Sequence, residues 1–147
     1  MRIALGADHA GYQLKDQIKQ HLLQQDIDVR DEGTSSAESV DYPDYARAVA
    51  HEVSEQRADF GILVCGSGIG MAITANKVDG IRAANVSTEY EAQMSREHNN
   101  ANVLALGARI ITADAAFSII DKWLTTRFAG GRHERRVEKI TAIEKEE

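Results

Sequence analysis

The sequence predicts an α/β fold in which five parallel strands are covered by helices on both faces, giving a three-layer αβα sandwich. Short apolar segments alternate with longer segments of helical periodicity, an order typical of doubly wound α/β proteins. The segment Phe60–Val64 is apolar on both faces, as expected of a strand buried in such a sheet. A chain of 147 residues suits one hydrophobic core. We see no linker, so residues 1–147 are predicted to form a single domain.

Five segments are predicted as strands and six as helices. The strands are Arg2–Ala7, Ile27–Arg30, Phe60–Val64, Gly80–Val86 and Asn102–Leu106. The helices run from Tyr12 to Gln25, from Asp41 past Val53, from Met71 to about Lys77, from Thr88 to about Glu97, from Thr112 to Phe128, and after Gly131. In the first helix Leu14, Ile18 and Leu22 recur every four residues, which is the helical period.

Residues typical of helix ends support three of these helices. Asp41 can cap the second helix, and Pro43 fits its first turn. Thr88 with Glu91 forms a capping-box pattern at the fourth. The pair Gly130–Gly131 is predicted to stop the fifth helix.

Composition excludes several classes of protein. The formal net charge of -6, from 17 basic and 23 acidic side chains, argues against a nucleic-acid partner. No apolar run is long enough to span a membrane, and the N-terminal residues lack the features of a signal peptide. The one cysteine cannot form an internal disulfide, so we expect a reducing, cytoplasmic environment.

The stretch from Cys65 to Gly70 is the strongest candidate for a functional site. It places a thiol at the carboxyl end of a predicted strand, followed by three glycines that let backbone N–H groups approach a ligand. The N–H groups and the following helix would stabilise a thiolate, which suits a nucleophile or a base. The plainer interpretation is a tight strand-to-helix turn with an inert buried cysteine.

Other polar residues fall at the same edge of the predicted sheet or near chain turns. Asp8 and His9 follow the first strand and Arg109 follows the fifth, so they would converge on Cys65. Asp8 and His9 could equally cap the first helix, and His98 could simply end the fourth.

Three arginines follow Gly131. Arg132, Arg135 and Arg136 form either a solvated basic face or an anion site. The remaining histidines, His21, His51 and His133, are assigned to the surface. The histidines lack metal-ligand spacing, so no metal is predicted.

Eight short motifs occur in an order that resembles the type B ribose-5-phosphate isomerases. They are GADHAG at 6–11, DYPD at 41–44, CGSGIG at 65–70, ANK at 75–77, GIR at 80–82, REHN at 96–99, GAR at 107–109 and GGRHERR at 130–136. The family also contains galactose-6-phosphate isomerase subunits and enzymes that act on allose 6-phosphate. The resemblance covers nearly the whole chain.

The resemblance implies a Rossmann-like fold and an aldose–ketose isomerase that needs neither metal nor organic cofactor. The reaction interconverts ribose 5-phosphate and ribulose 5-phosphate through an enediolate. Cys65 matches the catalytic base and His98 the proton donor that helps to open the sugar ring. The positions that match substrate-binding residues are Asp8, His9, Gly66, Ser67, Gly68, Ile69, Gly70, Asn99, Arg109, Arg132 and Arg136.

Two positions distinguish branches or members of the family. One branch has Glu in place of Met71, and because Met cannot move a proton, this chain resembles the cysteine branch. Many members have Thr where this chain has Ser67, which keeps the hydroxyl. A six-carbon sugar phosphate remains an alternative substrate. Two alternatives come from other functional classes. One is a nucleotide-binding module, and the other is a thiol hydrolase or transferase with Cys65 as nucleophile and His98 as base.

The C-terminal segment is predicted to take part in assembly. Val137, Ile140 and Ile143 form a narrow apolar stripe among charges, too thin to fold alone. Members of the family form dimers or larger assemblies in which a neighbouring subunit completes each site. We therefore expect a homodimer, or a dimer of dimers, with the segment after about residue 131 at the subunit interface.

Overall fold

The computed structural model describes residues 1–146 and contains five strands and six helices. The strands are β1 (Arg2–Ala7), β2 (Asp28–Asp31), β3 (Phe60–Cys65), β4 (Ala83–Asn85) and β5 (Val103–Gly107). The helices are α1 (Tyr12–Leu23), α2 (Tyr42–Ser54), α3 (Ile69–Ala75), α4 (Glu89–Glu97), α5 (Ala113–Thr125) and α6 (Arg132–Ile143). Strands and helices alternate as predicted until α6.

The sheet is entirely parallel, with strand order β2-β1-β3-β5-β4. This confirms the predicted α/β class and the five strands. From β1 the chain moves to one edge of the sheet, and from β3 it moves toward the other. The carboxyl ends of β1 and β3 therefore flank the topological switch point, where ligands bind in sheets of this kind.

Helices pack on both faces of the sheet, as the apolar strands predicted. One core joins the strands to α1, α4 and α5, and its largest member, Trp123, is fully buried. The other core joins the strands to α2 and α3 and includes Cys65 and Met71. Of the apolar stripe on α6, Val137 is buried while Ile140 and Ile143 are exposed. No helix within residues 1–146 is long and apolar enough to cross a membrane.

Several predicted element ends differ from the structure. α5 ends at Thr125, so Gly130–Gly131 lies beyond its end and does not stop it. α3 begins at Ile69, two residues before the predicted start, because the glycine loop already turns into the helix. The fourth strand shrinks to Ala83–Asn85.

The predicted caps have different outcomes. Asp41 occupies the N-cap position of α2, but its side chain makes no capping hydrogen bond. At α4 the cap is confirmed: the hydroxyl of Thr88 accepts a hydrogen bond from Glu91 N–H at 3.1 Å. The Glu91 carboxylate in turn accepts a hydrogen bond from the backbone N–H of Ser87 at 2.9 Å.

The assignment of His21 to the surface is wrong. Its ring stacks on Phe117 at 4.4 Å between ring centroids, and its Nε2 lies 2.8 Å from a carboxylate oxygen of Asp121. The side chain joins α1 to α5. The ring face of His21 packs on Phe117, while its Nε2 keeps a polar contact with Asp121.

Candidate active site

The thiol of Cys65 lies at the carboxyl end of β3 and is held by the glycine loop. Its Sγ accepts a hydrogen bond from Gly68 N–H at 3.1 Å, and the residue is 5% exposed. This hydrogen bond fixes the position of the sulfur at the start of the glycine loop. Met71 is fully buried in the same core cluster. Because Met71 cannot exchange a proton, the thiol of Cys65 is the group in this segment that can act as a base.

The loop depends on glycine at two positions. Gly68 has φ +84°, a conformation that L side chains rarely adopt, and a Cβ there would lie 2.5 Å from the side-chain oxygen of Asn85. A Cβ on Gly70 would lie 2.5 Å from the ring of Tyr42. The loop backbone is therefore packed closely against its surroundings on both sides.

Asp8 and His9 follow β1, next to the thiol across the switch point. The Asp8 carboxylate accepts hydrogen bonds from Ala10 N–H at 3.0 Å and Gly11 N–H at 3.1 Å, so it shapes the turn into α1. His9 Nδ1 accepts from Val40 N–H at 3.1 Å. Because a backbone N–H is always a donor, the proton of a neutral His9 must be on Nε2, which is then available to donate.

A cavity of about 590 Å³ brings many of the predicted site residues together. Its lining includes seven of them, namely Asp8, Cys65, Gly66, Ser67, Ile69, Gly70 and Arg109. It also includes Tyr42, Ile73 and Ile110, which the sequence analysis did not assign to the site. Tyr42 belongs to the DYPD motif, so its place in that ordered set was the only sequence indication of its position. The guanidinium of Arg109 lies beside Gly66, where it can meet an anion in the cavity.

A second cluster contains His98, Asn99 and the start of α6. The rings of His98 and His133 are stacked, with 4.2 Å between centroids and 12° between planes. Burial, together with the neighbouring His98 and arginines, lowers the pKa of His133 from its ordinary value, so its ring is neutral at neutral pH. His133 is partly exposed, as its assignment to the surface expected, but its contact with the ring of His98 was not predicted. Arg132 and Arg136 lie on the exposed side of the same helix.

Within one chain the two clusters lie at opposite ends of the strands: the Cys65 cluster at the carboxyl ends and the His98 cluster at the amino ends. α4 runs from the carboxyl end of β4 back toward the amino end of β5, and His98 is its C-cap residue. Arg96, near the end of α4, has its guanidinium 4.8 Å from the ring of Phe60. Phe60 is the first residue of β3, and Cys65 is the last residue of the same strand. Six residues of strand span about 20 Å. The structure thus separates Cys65 from His98, and none of His98, Asn99, Arg132 or Arg136 lines the Cys65 cavity.

No group of three His, Cys, Asp or Glu side chains within residues 1–146 is arranged to hold a metal ion. Neither cluster therefore offers a ready set of metal ligands in the described part of the chain.

Comparison with known proteins identifies close relatives over the whole length. A family described as Ribose/Galactose Isomerase matches residues 3–140. Ribose-5-phosphate isomerase B of Escherichia coli K12 is 50% identical over 143 residues, covering 97% of this chain and 96% of the relative. D-erythrulose-4-phosphate isomerase of Pectobacterium atrosepticum is 45% identical over 148 residues, covering 100% and 97%.

Solved structures show the same fold. Ribose-5-phosphate isomerase B of Clostridium thermocellum has a TM-score of 0.98 and 52% identity, covering 99% of this chain and 98% of that one. The enzyme of Mycoplasma genitalium, solved with bound ribulose 5-phosphate, has a TM-score of 0.96 and 42% identity, covering 99% and 97%.

Proposed function

Because the chain belongs to the ribose/galactose isomerase family, we propose that it is a type B isomerase that interconverts ribose 5-phosphate and ribulose 5-phosphate. The observation that carries the proposal is the thiol of Cys65, held by Gly68 N–H in a glycine-lined cavity at the switch point of the sheet. The relative from Mycoplasma genitalium, which binds ribulose 5-phosphate, supports the choice of substrate.

Cys65 is the proposed base for both proton transfers. The thiolate removes the proton from C2 of the open-chain aldose, and the electron pair forms the C1–C2 double bond while O1 takes up negative charge. The thiol then returns the proton to C1, and C2 becomes the ketone carbon. The hydroxyl proton passes from O2 to O1, so the atoms balance with no external reactant. One base near both carbons suffices.

The glycine loop and the cationic side chains supply the rest of the chemistry. Backbone N–H groups of residues 66–70 stabilise the enediolate oxygen, whose charge develops only during the reaction. Arg109 and the Nε2–H of His9 bind the phosphate, which does not react but fixes the position of C1 and C2. Asp8 holds the turn that carries His9.

The second cluster acts in the cavity of a neighbouring subunit. In this proposal His98 protonates the ring oxygen of the cyclic sugar, Asn99 binds the sugar, and Arg132 and Arg136 add positive charge at the phosphate. The separation of His98 from Cys65 within one chain supports a homodimer, alone or within a dimer of dimers, whose sites draw residues from two chains. Each proposed site thus has a Cys65 half, formed by the cavity of one chain, and a His98 half, formed by the second cluster of the other chain. Both halves carry exposed apolar side chains that can form the interface, namely Ile69, Ile73 and Ile110 beside Cys65, and Ile140 and Ile143 on α6.

Substrate preference tests the proposal directly. We expect kcat/KM for ribose 5-phosphate to exceed the values for allose 6-phosphate and galactose 6-phosphate. A higher value for a six-carbon substrate would reassign the enzyme within its family. Lack of activity on all three, together with a nucleotide-induced rise in Tm, would favour the nucleotide-binding alternative.

Replacing His98 should affect ring opening and not enolisation. We expect His98→Asn to lower kcat/KM for ribose 5-phosphate by about 100-fold, since a positioned acid contributes a factor of this size. D-erythrose 4-phosphate cannot form a furanose ring because its O4 carries the phosphate. The kcat/KM of His98→Asn for this open-chain substrate should therefore fall by less than about threefold. A coupled assay of both substrates measures the difference. Equal losses on both would contradict the assigned role.

A further inference from the structure

Two arginines, the buried Arg96 and the partly buried Arg82, converge on one residue, Asn100, directly after the pair His98–Asn99. The side chain of Arg96 donates to the Asn100 side-chain oxygen at 3.1 Å and to the backbone oxygen of Ala101. Nε of Arg82 donates to the backbone oxygen of Asn100 at 3.0 Å. Asn100 N–H also donates to the backbone oxygen of Arg96 at 3.2 Å. Three polar groups of Asn100 are thus bound by these two arginines.

The turn that these bonds hold is an unusual one. Asn100 has φ +48°, in the left-handed region that asparagine tolerates better than most residues. The chain reverses here between the end of α4 and the start of β5. In contrast, within residues 1–146 the side chain of Asn99 makes no hydrogen bond, so the residue beside this anchored turn is left free for a ligand.

The arginines do not serve as ion-pair partners. Neither forms a salt bridge within residues 1–146, and burial lowers the pKa of each from its ordinary value. The guanidinium of Arg96 is packed 4.8 Å from the ring centroid of Phe60 and 5.6 Å from that of Trp123. Aromatic faces of this kind attract and fix a cation. The aromatic rings therefore hold the Arg96 guanidinium in place, and its N–H groups donate to the loop that follows His98.

The same contacts reach the segment that leads into α6. Nε of Arg96 lies 3.4 Å from the backbone oxygen of Thr126, and Ala129 N–H donates to the backbone oxygen of Glu97 at 3.0 Å. α6 then places His133 against the ring of His98. Arg96 therefore ties the loop of His98 to the segment that carries its stacking partner.

We propose that Arg82 and Arg96 are positioning residues that set the orientation of His98 and Asn99 for the neighbouring subunit's site. The inference rests on the proposed function of His98. Neither arginine touches the substrate. Both act through Asn100, and a displacement of about 1 Å at a catalytic group can lower a rate about 100-fold.

The test compares Arg82→Met and Arg96→Lys with Arg57→Met. Arg82→Met keeps the aliphatic stem and loses the donor to Asn100, and Arg96→Lys keeps the charge over the aromatic rings and loses the fork. Arg57 pairs with Glu52 and Glu55, and its side-chain hydrogen bonds within residues 1–146 go to those two carboxylates, so its variant controls for lost stability. We expect kcat on ribose 5-phosphate to fall about 10- to 100-fold in the first two variants, with KM changed less than about threefold. Arg57→Met should keep kcat.

Proton NMR of the five histidines gives a readout independent of activity. The resonances of His98 and His133, assigned with His98→Asn, should move in Arg82→Met because their stacking changes. The resonance of His21, which stacks on Phe117, should stay in place. Unmoved resonances of His98 and His133 would overturn the proposal even if wild-type protein shows no isomerase activity. Near-normal kcat in both arginine variants would overturn it as well.

Subunit mixing separates positioning from a general defect. Arg82→Met mixed with Cys65→Ala should recover activity, because the Arg82→Met chain still supplies an intact Cys65 half. Mixed with His98→Asn it should recover none, because both changes damage the same half. The proposal would be overturned if Arg82→Met recovered no activity with Cys65→Ala although Cys65→Ala and His98→Asn recovered activity with each other. That result would show that the Arg82→Met change also damages the Cys65 half. If that reference pair also fails, the shared site is wrong, and the NMR and kcat results decide on the arginines alone.

Discussion

Cys65→Ala should lower kcat for ribose 5-phosphate by about 10²- to 10⁴-fold, the range expected when a general base is removed. The change deletes only Sγ and leaves the backbone of the glycine loop in place. The proposed phosphate contacts through Arg109 and His9 do not involve the sulfur, so substrate affinity should change little. Calorimetric titration with ribose 5-phosphate measures the affinity, and a ketose assay measures turnover.

Cys65→Ser is the matched variant for this prediction. A hydroxyl has nearly the size of the thiol and can accept the hydrogen bond from Gly68 N–H, but it is a far weaker acid and forms no useful alkoxide at neutral pH. We expect Cys65→Ser to be as inactive as Cys65→Ala. Near-normal turnover in either variant would assign the proton transfer to another group. A stable covalent adduct between Cys65 and a substrate acyl group would favour the hydrolase alternative.

Mixing Cys65→Ala with His98→Asn should restore activity that neither variant has alone. Hybrid dimers contain one site with both residues intact and one with both replaced. Half of randomly formed dimers are hybrids, so the mixture should reach about a quarter of wild-type activity. The subunits are dissociated in mild denaturant and reassociated together, and each variant treated alone is the control.

Two outcomes would contradict the shared site. Light scattering that shows a monomer at the assay concentration would exclude a site built from two chains. A dimer that recovers no activity on mixing would place Cys65 and His98 of a single chain in one site. That result would conflict with their positions at opposite ends of the strands, and would require a large rearrangement of α4.

Local sequence pattern was enough to predict the frame of the fold and most of the Cys65 cavity. Alternating apolar and amphipathic segments indicated the parallel sheet, and the thiol before three glycines marked the switch point. These features depend on neighbours within a few residues. The end of α5 at Thr125 was missed because no residue there breaks a helix strongly, and the chain leaves the helix to cross toward Glu97.

What the sequence could not predict depends on contacts between distant segments. His133 pairs with His98, and Arg82 and Arg96 meet at Asn100, although these residues are separated by up to 35 positions. Periodicity carries no information on such pairs. The motifs GIR and REHN did contain both arginines, but their use became evident only when β4 and α4 were brought together at the start of β5.

In the proposed dimer, the position of His98 at the amino ends of the strands, with Cys65 at the carboxyl ends, makes turnover a property of pairs of chains. In the proposed dimer each folded monomer holds half of two different sites and can complete neither. Dilution below the dissociation constant of the dimer would then silence the enzyme without unfolding it, and specific activity would rise with enzyme concentration. A newly synthesised chain would stay inert until it met a second copy, so the rate of association would set the delay before the first catalytic cycle.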